Sequence, residues 1–497
     1  MTVTLGVDIG TYGSKAVLAD AAGRIFAQAE RPHEMIVPRP GWAEHRAEED
    51  WWGDFCALTR EILEQSGVDP GAIACVATSA IGPCMLPVDA AGRPLMNGVL
   101  YGVDTRASAE VADLTRDIGA GVLQARCGNA LSSQSVGPKI LWLKRNHPDV
   151  YDRAAHVLTS SSYLVMKLTG EIVIDHYTAA SFAPLYDIDR QDWAADLCQG
   201  IVDPARLPRL RWSAEIAGQV TGEAARATGL APRTPVTTGT IDAAAEAVSV
   251  GVAAPGDMML MYGSTIFIIL LTGQRLSNPR LWSAPWLAPG GHAAMAGLAT
   301  SGTLTHWFRD QFARDLPRGE AFGRLAAEAE ASPPGANGLL LLPYFSGERT
   351  PIHDPDAKGV LFGLNLTHGR GDLYRALIEG IAFGTRHVTD TFTEAGARPR
   401  RLLAVGGGVQ NPPWLQATSD VTGLDQIVCT NTLGAAYGDA YLAAEAAGLE
   451  PDIAAWNPIA RSVTARNLPV YQKTYPLFRR LYEQTRDIAA DLSDISA

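Results

Sequence analysis

Two apolar strand pairs closed by glycine-containing turns, one at the start of the chain and one just past its middle, constrain the fold most strongly. From Leu5 to Ala29 a strand, a turn at Thr11-Tyr12-Gly13-Ser14, a strand from Lys15 to Ala19, a turn at Ala21-Ala22-Gly23 and a strand from Arg24 to Ala29 form a predicted meander. Met258 to Tyr262 and Ile266 to Leu271 repeat the opening hairpin around Gly263-Ser264-Thr265. Recurrence on the scale of a domain, rather than every roughly 20–50 residues, indicates two related domains and not a solenoid. The 497 residues are also too many for one ordinary core.

Between the hairpins, helical patterning from Glu49 to Gln65 gives way to a β-prone stretch from Ala72 to Thr78, an alternation that signals an α/β domain. The segment SVGVAAPGD, around Gly251 to Gly256, reads as a linker. The expected organisation is an N-terminal domain over 1–250, a C-terminal domain over 256–446 and an extension over 447–497. In that extension Phe478, Leu481, Tyr482, Ile488 and Leu492 predict an amphipathic helix packed on the body.

Apolar residues make up 47% and charged residues 19%, an ordinary globular composition. A net charge of −12 argues against nucleic-acid and anionic-membrane partners, so any phosphate must be held by local geometry. The first residues meet Asp8 before any basic residue and lack an apolar run, which excludes a secretory signal and predicts a cytoplasmic protein. Met258 to Leu271 is too short and too interrupted to span a bilayer. Six cysteines without a C-x-x-C pair predict reduced, mostly buried thiols.

The first hairpin turn gathers Asp8, Gly10, Thr11, Tyr12, Gly13, Ser14 and Lys15. Such a turn can present backbone N–H groups to phosphate oxygens while its carboxylate holds Mg²⁺ through water. A plain hairpin with a solvated aspartate is the other reading. Asp242 stands where a short strand meets an Ala-rich helix, which suits either a helix cap or a base. Farther on, Arg401 to Val405 runs into Gly406-Gly407-Gly408 and a helix opening at Asn411-Pro412-Pro413, a context in which a ring or phosphate can lie on the backbone. No G-x-G-x-x-G opens an early helix, so MgATP rather than NAD is the expected nucleotide.

Together these segments resemble the FGGY carbohydrate kinase family over nearly the whole chain. LGVDIGTYGSKAVLAD is similar to its first phosphate motif. Residues 359–364, GVLFGL, with Asp372-Leu373, Ala376 and Ile378-Glu379, follow its carboxy-terminal signature, and KILWLKRN at 139–146 its amino-terminal one. The resemblance implies an α/β fold of two ribonuclease-H-like domains, of the actin and hexokinase type, around a nucleotide and sugar cleft. It implies Asp242 as catalytic base and Asp8 as the carboxylate that organises Mg²⁺. The ATP contacts it implies are Asp8, Thr11, Tyr12, Lys15, Gly263, Ser264, Thr265, Gly302, Gly407 and Asn411. His306 stands where glycerol kinases tend to carry glutamine, and a partly buried helix histidine is the other reading.

SGERTP followed by AKGVLFGL is most similar to xylulose kinases, which implies a ketose such as D-xylulose as acceptor. Ser79 to Cys84 replaces their Met-His pair, and Tyr101 to Arg106 replaces Trp-Asn-Asp-Gly-Arg while keeping Asp104 and Arg106. By this correspondence Ile81, Gly82, Tyr101, Asp104, Arg106 and Asp242 would face the sugar. The family habit implies a homodimer. Two alternatives stay open: a kinase for glycerol, erythritol, ribulose or gluconate, and an actin-like ATPase that drives a partner protein.

Overall fold

The structure, a computed structural model, describes residues 2–496; Met1 and Ala497, the outer ends of the expected regions, lie outside it. It divides into two compact units. The first comprises Met1–Gly251, Gly273–Ala293 and Leu433–Pro458; the second comprises Val252–Thr272, Ala294–Thr432 and Ile459–Ala497. The chain first leaves the first unit at Gly251, and each unit is assembled from three separate stretches of sequence.

In the first unit the predicted meander forms as β1 (Val3–Ile9), β2 (Gly13–Asp20) and β3 (Ile25–Pro32). After helix α1 (Asp54–Ser66), β4 (Ile73–Ala80) pairs with β1 in parallel. Strands β5 (Ile216–Gln219) and β6 (Pro235–Thr237) complete the order β5-β6-β4-β1-β2-β3, with β7 (Thr240–Ile241) also on β4. Every residue of β1 except Asp8 is buried, as expected for a central strand covered on both faces. Two more helices of this unit bear on the site, α2 (Val136–Asn146) and α3 (Asp242–Ser249).

The second unit repeats the plan. Hairpin β8 (Asp257–Tyr262) and β9 (Ile266–Thr272) is followed by β10 (His292–Leu298), and β8 pairs in parallel with β11 (Arg401–Val405). With β12 (Gln426–Cys429) and β13 (Ile459–Val463) the order is β10-β9-β8-β11-β12-β13. Both sheets therefore place an antiparallel hairpin beside parallel strands. Around the second sheet lie α4 (Gly302–Phe312), the long buried α5 (Arg370–Glu394) and α6 (Pro412–Thr422).

Helix α7 (Ala435–Ala446) explains the interleaving. A Cβ at Gly6 would lie 2.0 Å from the Ala436 carbonyl oxygen, and one at Gly438 would lie 1.9 Å from that of Ala245. Glycine at both places lets α7 press backbone to backbone on β1 and α3, so a segment late in the sequence completes the first unit.

The terminal helix α8 (Pro469–Ser496) buries Tyr471, Tyr475, Phe478 and Leu481 against Tyr344 and Phe383. The expected apolar face is covered in part: in the second half of the helix Ala489 is buried, whereas Ile488 and Leu492 are exposed. All six cysteines are free thiols, five of them buried. Among the described residues no helix is long and apolar enough to cross a membrane.

Candidate active site

The parallel register of β1 and β4 sets Asp8 opposite Ser79, and that of β7 and β4 sets Thr240 opposite Ser79. The head of α3, with Asp242, follows directly. Helix α7 adds Asp439, whose Oδ2 accepts from the Ser79 N–H at 3.0 Å and lies 2.6 Å from Ser79 Oγ. The same hydroxyl is 3.0 Å from Asp8 Oδ1. One hydroxyl proton cannot serve two carboxylates, so one carboxyl must supply a second proton. Asp439 is the group suited to hold it. Fully enclosed, it is pushed well above the usual carboxylate range by burial and then by the charge of Asp8, and its Oδ1 has no hydrogen-bond partner among the described residues.

Burial raises Asp8 to about 6 even though Ser79, Lys15 and His33 favour its charged form. Asp242 is raised well above its ordinary value by burial and then by Asp8. Its Oδ1 accepts from Ala243 N–H at 2.7 Å, but Ile241 holds the N-cap position, so Asp242 is the first helical residue rather than a cap. Glu246, one turn on along the same face, is raised to about 7, again by burial first and Asp8 second. Four carboxyls thus converge on the end of β1, and Lys15, paired with Asp8 across the hairpin, is the one basic side chain whose charge is felt by both Asp8 and Glu246.

Hard oxygen donors with surplus negative charge suit a divalent cation such as Mg²⁺. Among the described residues no group of three such side chains is close enough to hold a metal directly. The donor set therefore fits an ion that keeps most of its waters and binds through one or two carboxylates plus phosphate oxygens, the usual habit of Mg²⁺.

These shifts carry a stability consequence. A carboxyl whose pKa is raised on folding binds more protons in the native than in the unfolded state between the two values. Its contribution therefore falls as pH rises through that window. Glu246→Gln should stabilise the unliganded protein by about 1–3 kcal/mol at pH 8, with the gain vanishing near pH 4, below the unfolded value. Urea unfolding at both pH values checks this; equal effects at both would contradict the buried-charge account.

Of the other expected phosphate residues, Tyr12 is 66% exposed and Thr11 Oγ1 lies 3.4 Å from the Tyr101 hydroxyl, which links the turn to the expected sugar loop. That loop is anchored from α2. Lys139, fully buried, donates to the carbonyl oxygens of Leu100 (2.6 Å) and Ser133 (2.7 Å), and burial pushes it down to about 8. Asp104 and Arg106 are paired at 2.7 Å with both side chains completely enclosed. Arg106 also reaches Glu44 at 2.9 Å and lies 3.9 Å from the centre of the Trp42 ring. Ile81 is buried in the core, and a Cβ at Gly82 would meet Ile241 at 2.8 Å. Ile81, Asp104 and Arg106, which were expected to face a sugar, are enclosed here. Packing and ion pairing hold these side chains inside, where they shape the loops around Tyr101 and Gly82.

In the second unit the turn Gly263-Ser264-Thr265 docks on the start of α4. The N–H groups of Gly302 and Thr303 donate to the carbonyls of Gly263 (3.0 Å) and Ser264 (3.1 Å). A Cβ at Gly302 would sit 2.4 Å from the Gly263 oxygen, so only glycine permits this approach. Gly407, after β11, faces open space, and Asn411 caps α6 while its amide donates to Tyr374. His306 lies edge-on to Phe322 with its pKa lowered by burial, the behaviour of a packing histidine. Glu348 of the GERTP segment accepts two backbone N–H groups and is raised by burial to about 7.

Sequence reasoning missed Ser79, Glu246 and Asp439. For Asp439 a signal exists, since it is the lone acid in Gly434-Ala-Ala-Tyr-Gly-Asp-Ala-Tyr, among residues small enough for backbone contact. Glu246 is legible only after Asp242 is placed, as its helical neighbour.

Both domains of the FGGY family of carbohydrate kinases match the chain, the N-terminal domain over residues 3–249 and the C-terminal domain over 258–447. The xylulose kinase of Bacillus subtilis (strain 168) is 29% identical over 98% of each chain. The glycerol kinase of Nocardia farcinica is 32% identical over 87% of this chain and 88% of its own. The crystal structure of xylulose kinase from Rhodospirillum rubrum superposes with a TM-score of 0.92 at 31% identity, covering 98% of this chain and 99% of the other. Two repeated α/β units of the actin and hexokinase type and these matches define a sugar kinase, an enzyme that works with a nucleotide. The chain belongs to the FGGY family of carbohydrate kinases.

Proposed function

We propose that the enzyme transfers the γ-phosphoryl group of ATP, in the presence of Mg²⁺, to a terminal hydroxyl of a small ketose, D-xylulose foremost. The observation that carries this reading is Asp242, partly buried at the head of α3 and raised by burial and then by Asp8. A carboxylate whose pKa is lifted toward the working pH is a stronger base. It would take the acceptor proton late, as the new P–O bond forms.

Asp8 would hold Mg²⁺ through water, with Glu246 and Asp439 adding field behind it, and the bound ion would neutralise phosphate charge. Thr11, Tyr12 and Lys15 would meet the phosphates from the first unit; Gly263, Ser264, Thr265, Gly302, Gly407 and Asn411 are the proposed nucleotide residues of the second. Tyr101, anchored through Lys139 and close to Thr11, is the side chain of the 101–106 loop best placed to bear on the acceptor.

Similarity to xylulose kinases over nearly the whole chain supports the ketose. The apolar Ile81-Gly82 step supports a second reading, a different ketose or polyol, because no polar side chain is offered there. A coupled ADP-release screen over pentuloses, hexuloses, polyols and aldonates decides between them. D-xylulose should be turned over most efficiently. Turnover of glycerol or gluconate with none of any ketose would overturn the acceptor assignment.

A further inference from the structure

Every carbonyl of the first hairpin turn is engaged by the protein itself. The Gly13 oxygen accepts from Gly10 N–H at 3.0 Å and the Tyr12 oxygen from His33 N–H at 3.2 Å. The remaining two meet imidazoles: His33 Nε2 is 3.0 Å from the Gly10 oxygen, and His45 Nε2 is 3.1 Å from the Thr11 oxygen. Among the described residues, no backbone or side-chain acceptor meets the amides of Thr11 and Tyr12. With its acceptors drawn inward, the turn shows an anion two donors instead of lone pairs.

The donor and acceptor chemistry fixes the protonation of both rings. Indole N–H can only donate, and Trp51 Nε1 lies 3.1 Å from His45 Nδ1. Nδ1 of His45 is therefore the acceptor, and its proton is on Nε2, directed at Thr11. This ring is neutral; burial, followed by the charge of His33, lowers it to about 4. His33 differs because both its partners accept. Nε2 faces the Gly10 carbonyl, and Nδ1 is 2.9 Å from Asp54 Oδ2, a carboxylate that also takes the Ser14 hydroxyl proton at 2.8 Å. Two acceptors require two N–H donors, so His33 is an imidazolium with only 5% of its side chain exposed. The two rings meet edge to face at 4.9 Å.

We propose that His33, fixed by Asp54, and His45, fixed by Trp51, are positioning residues for phosphoryl transfer. They hold the Gly10 and Thr11 carbonyls inward so that the Thr11 and Tyr12 amides stay turned to a phosphate oxygen. This rests on the kinase reading of the same turn and extends it to residues that do not touch the nucleotide. The sequence offers no spacing that would single them out.

Charged and titratable groups felt by or bonded around His33 are Asp54, with Arg31 on its other oxygen, Asp50, His45 and Asp8. Burial opposes the imidazolium, but the hydrogen bond and charge of Asp54, the Gly10 carbonyl and Asp50 together raise its pKa. The protonated, turn-holding form therefore prevails below that raised value and is lost as pH climbs through it.

The test compares His33→Phe and His45→Phe with His33→Gln and His45→Gln, whose amide N–H can reach the same carbonyls. The Phe variants should lose about 10–100-fold in kcat/KM for MgATP, with KM for the sugar within about twofold, and the Gln variants should recover most of it. His33→Gln should also lose the alkaline fall in kcat/KM for MgATP that deprotonation of His33 gives the parent. Calorimetric Kd values for MgATP without sugar carry the same comparison independently of the acceptor. A parent that binds MgATP but phosphorylates no sugar sinks the acceptor assignment and leaves this comparison intact. Phe and Gln variants that lose alike, or none that loses more than about twofold in kcat/KM and Kd, overturn the positioning role. If the Phe variants do not fold, the Gln variants decide: an alkaline limb retained by His33→Gln overturns it.

Discussion

Asp242→Asn is expected to lower turnover of the best acceptor by ~10²–10⁴, equivalent to roughly 3–5 kcal/mol of barrier, while MgATP still binds. The amide keeps an oxygen to accept the 2.7 Å bond from Ala243 N–H, so the start of α3 loses nothing structural. It also removes a charge that burial and Asp8 disfavour, so the melting temperature should match or exceed the parent's. What disappears is the proton acceptor. Kinetics with folded variant, beside calorimetric titration of MgATP, separate the two roles. Activity within about tenfold of the parent would remove Asp242 from the chemistry and make its raised pKa a by-product of crowding.

The second large effect is on stability. Gly438→Val should cost more than about 3 kcal/mol, beyond the common range for an overpacked core, because the added Cβ would meet backbone rather than a side chain able to swing away. The clash is with the Ala245 carbonyl at 1.9 Å, on the helix that carries Asp242 and Glu246. Relief requires α7 to lift, which withdraws Asp439 from Ser79. Gly323 is the control, since it lies in a helix, Ala321–Ala331, with nothing within 4 Å of its would-be Cβ. Gly323→Ala should be neutral or stabilising by up to about 1 kcal/mol. Urea midpoints of the three proteins check the pair, and a Gly438→Val protein within about 1 kcal/mol of the parent would contradict backbone-to-backbone packing.

The local architecture was legible where periodicity and turn chemistry act over short distances. The two hairpins, the strand that runs on through Ser79, the strand-to-helix step at Asp242 and the glycine turn after β11 all form within a few residues of where the sequence predicts them. Side chains that act through distant partners were not legible. Asp439 meets Ser79 across most of the chain, and His33 gains meaning only beside Asp54 and the Gly10 carbonyl. Asp104 and Arg106 show the converse. Trp42, Trp142 and Glu44 pack around this loop pair, and a sequence does not show which charges find partners within the protein. At the carboxy terminus Ile488 and Leu492 keep helical spacing but stay exposed, while Ala489 beside them is buried.

The late position of α7 bears on how the enzyme is made. A nascent chain that has emerged as far as Ser249 already holds Asp8, Ser79, Asp242 and Glu246, yet the helix that packs on β1 has not been synthesised. At ordinary translation rates it follows on the order of ten to forty seconds later. Throughout that interval the glycine-lined groove at Gly6 and the carboxyls beside it face solvent or a chaperone. The first unit of this kinase cannot mature on the ribosome in the order in which it is encoded.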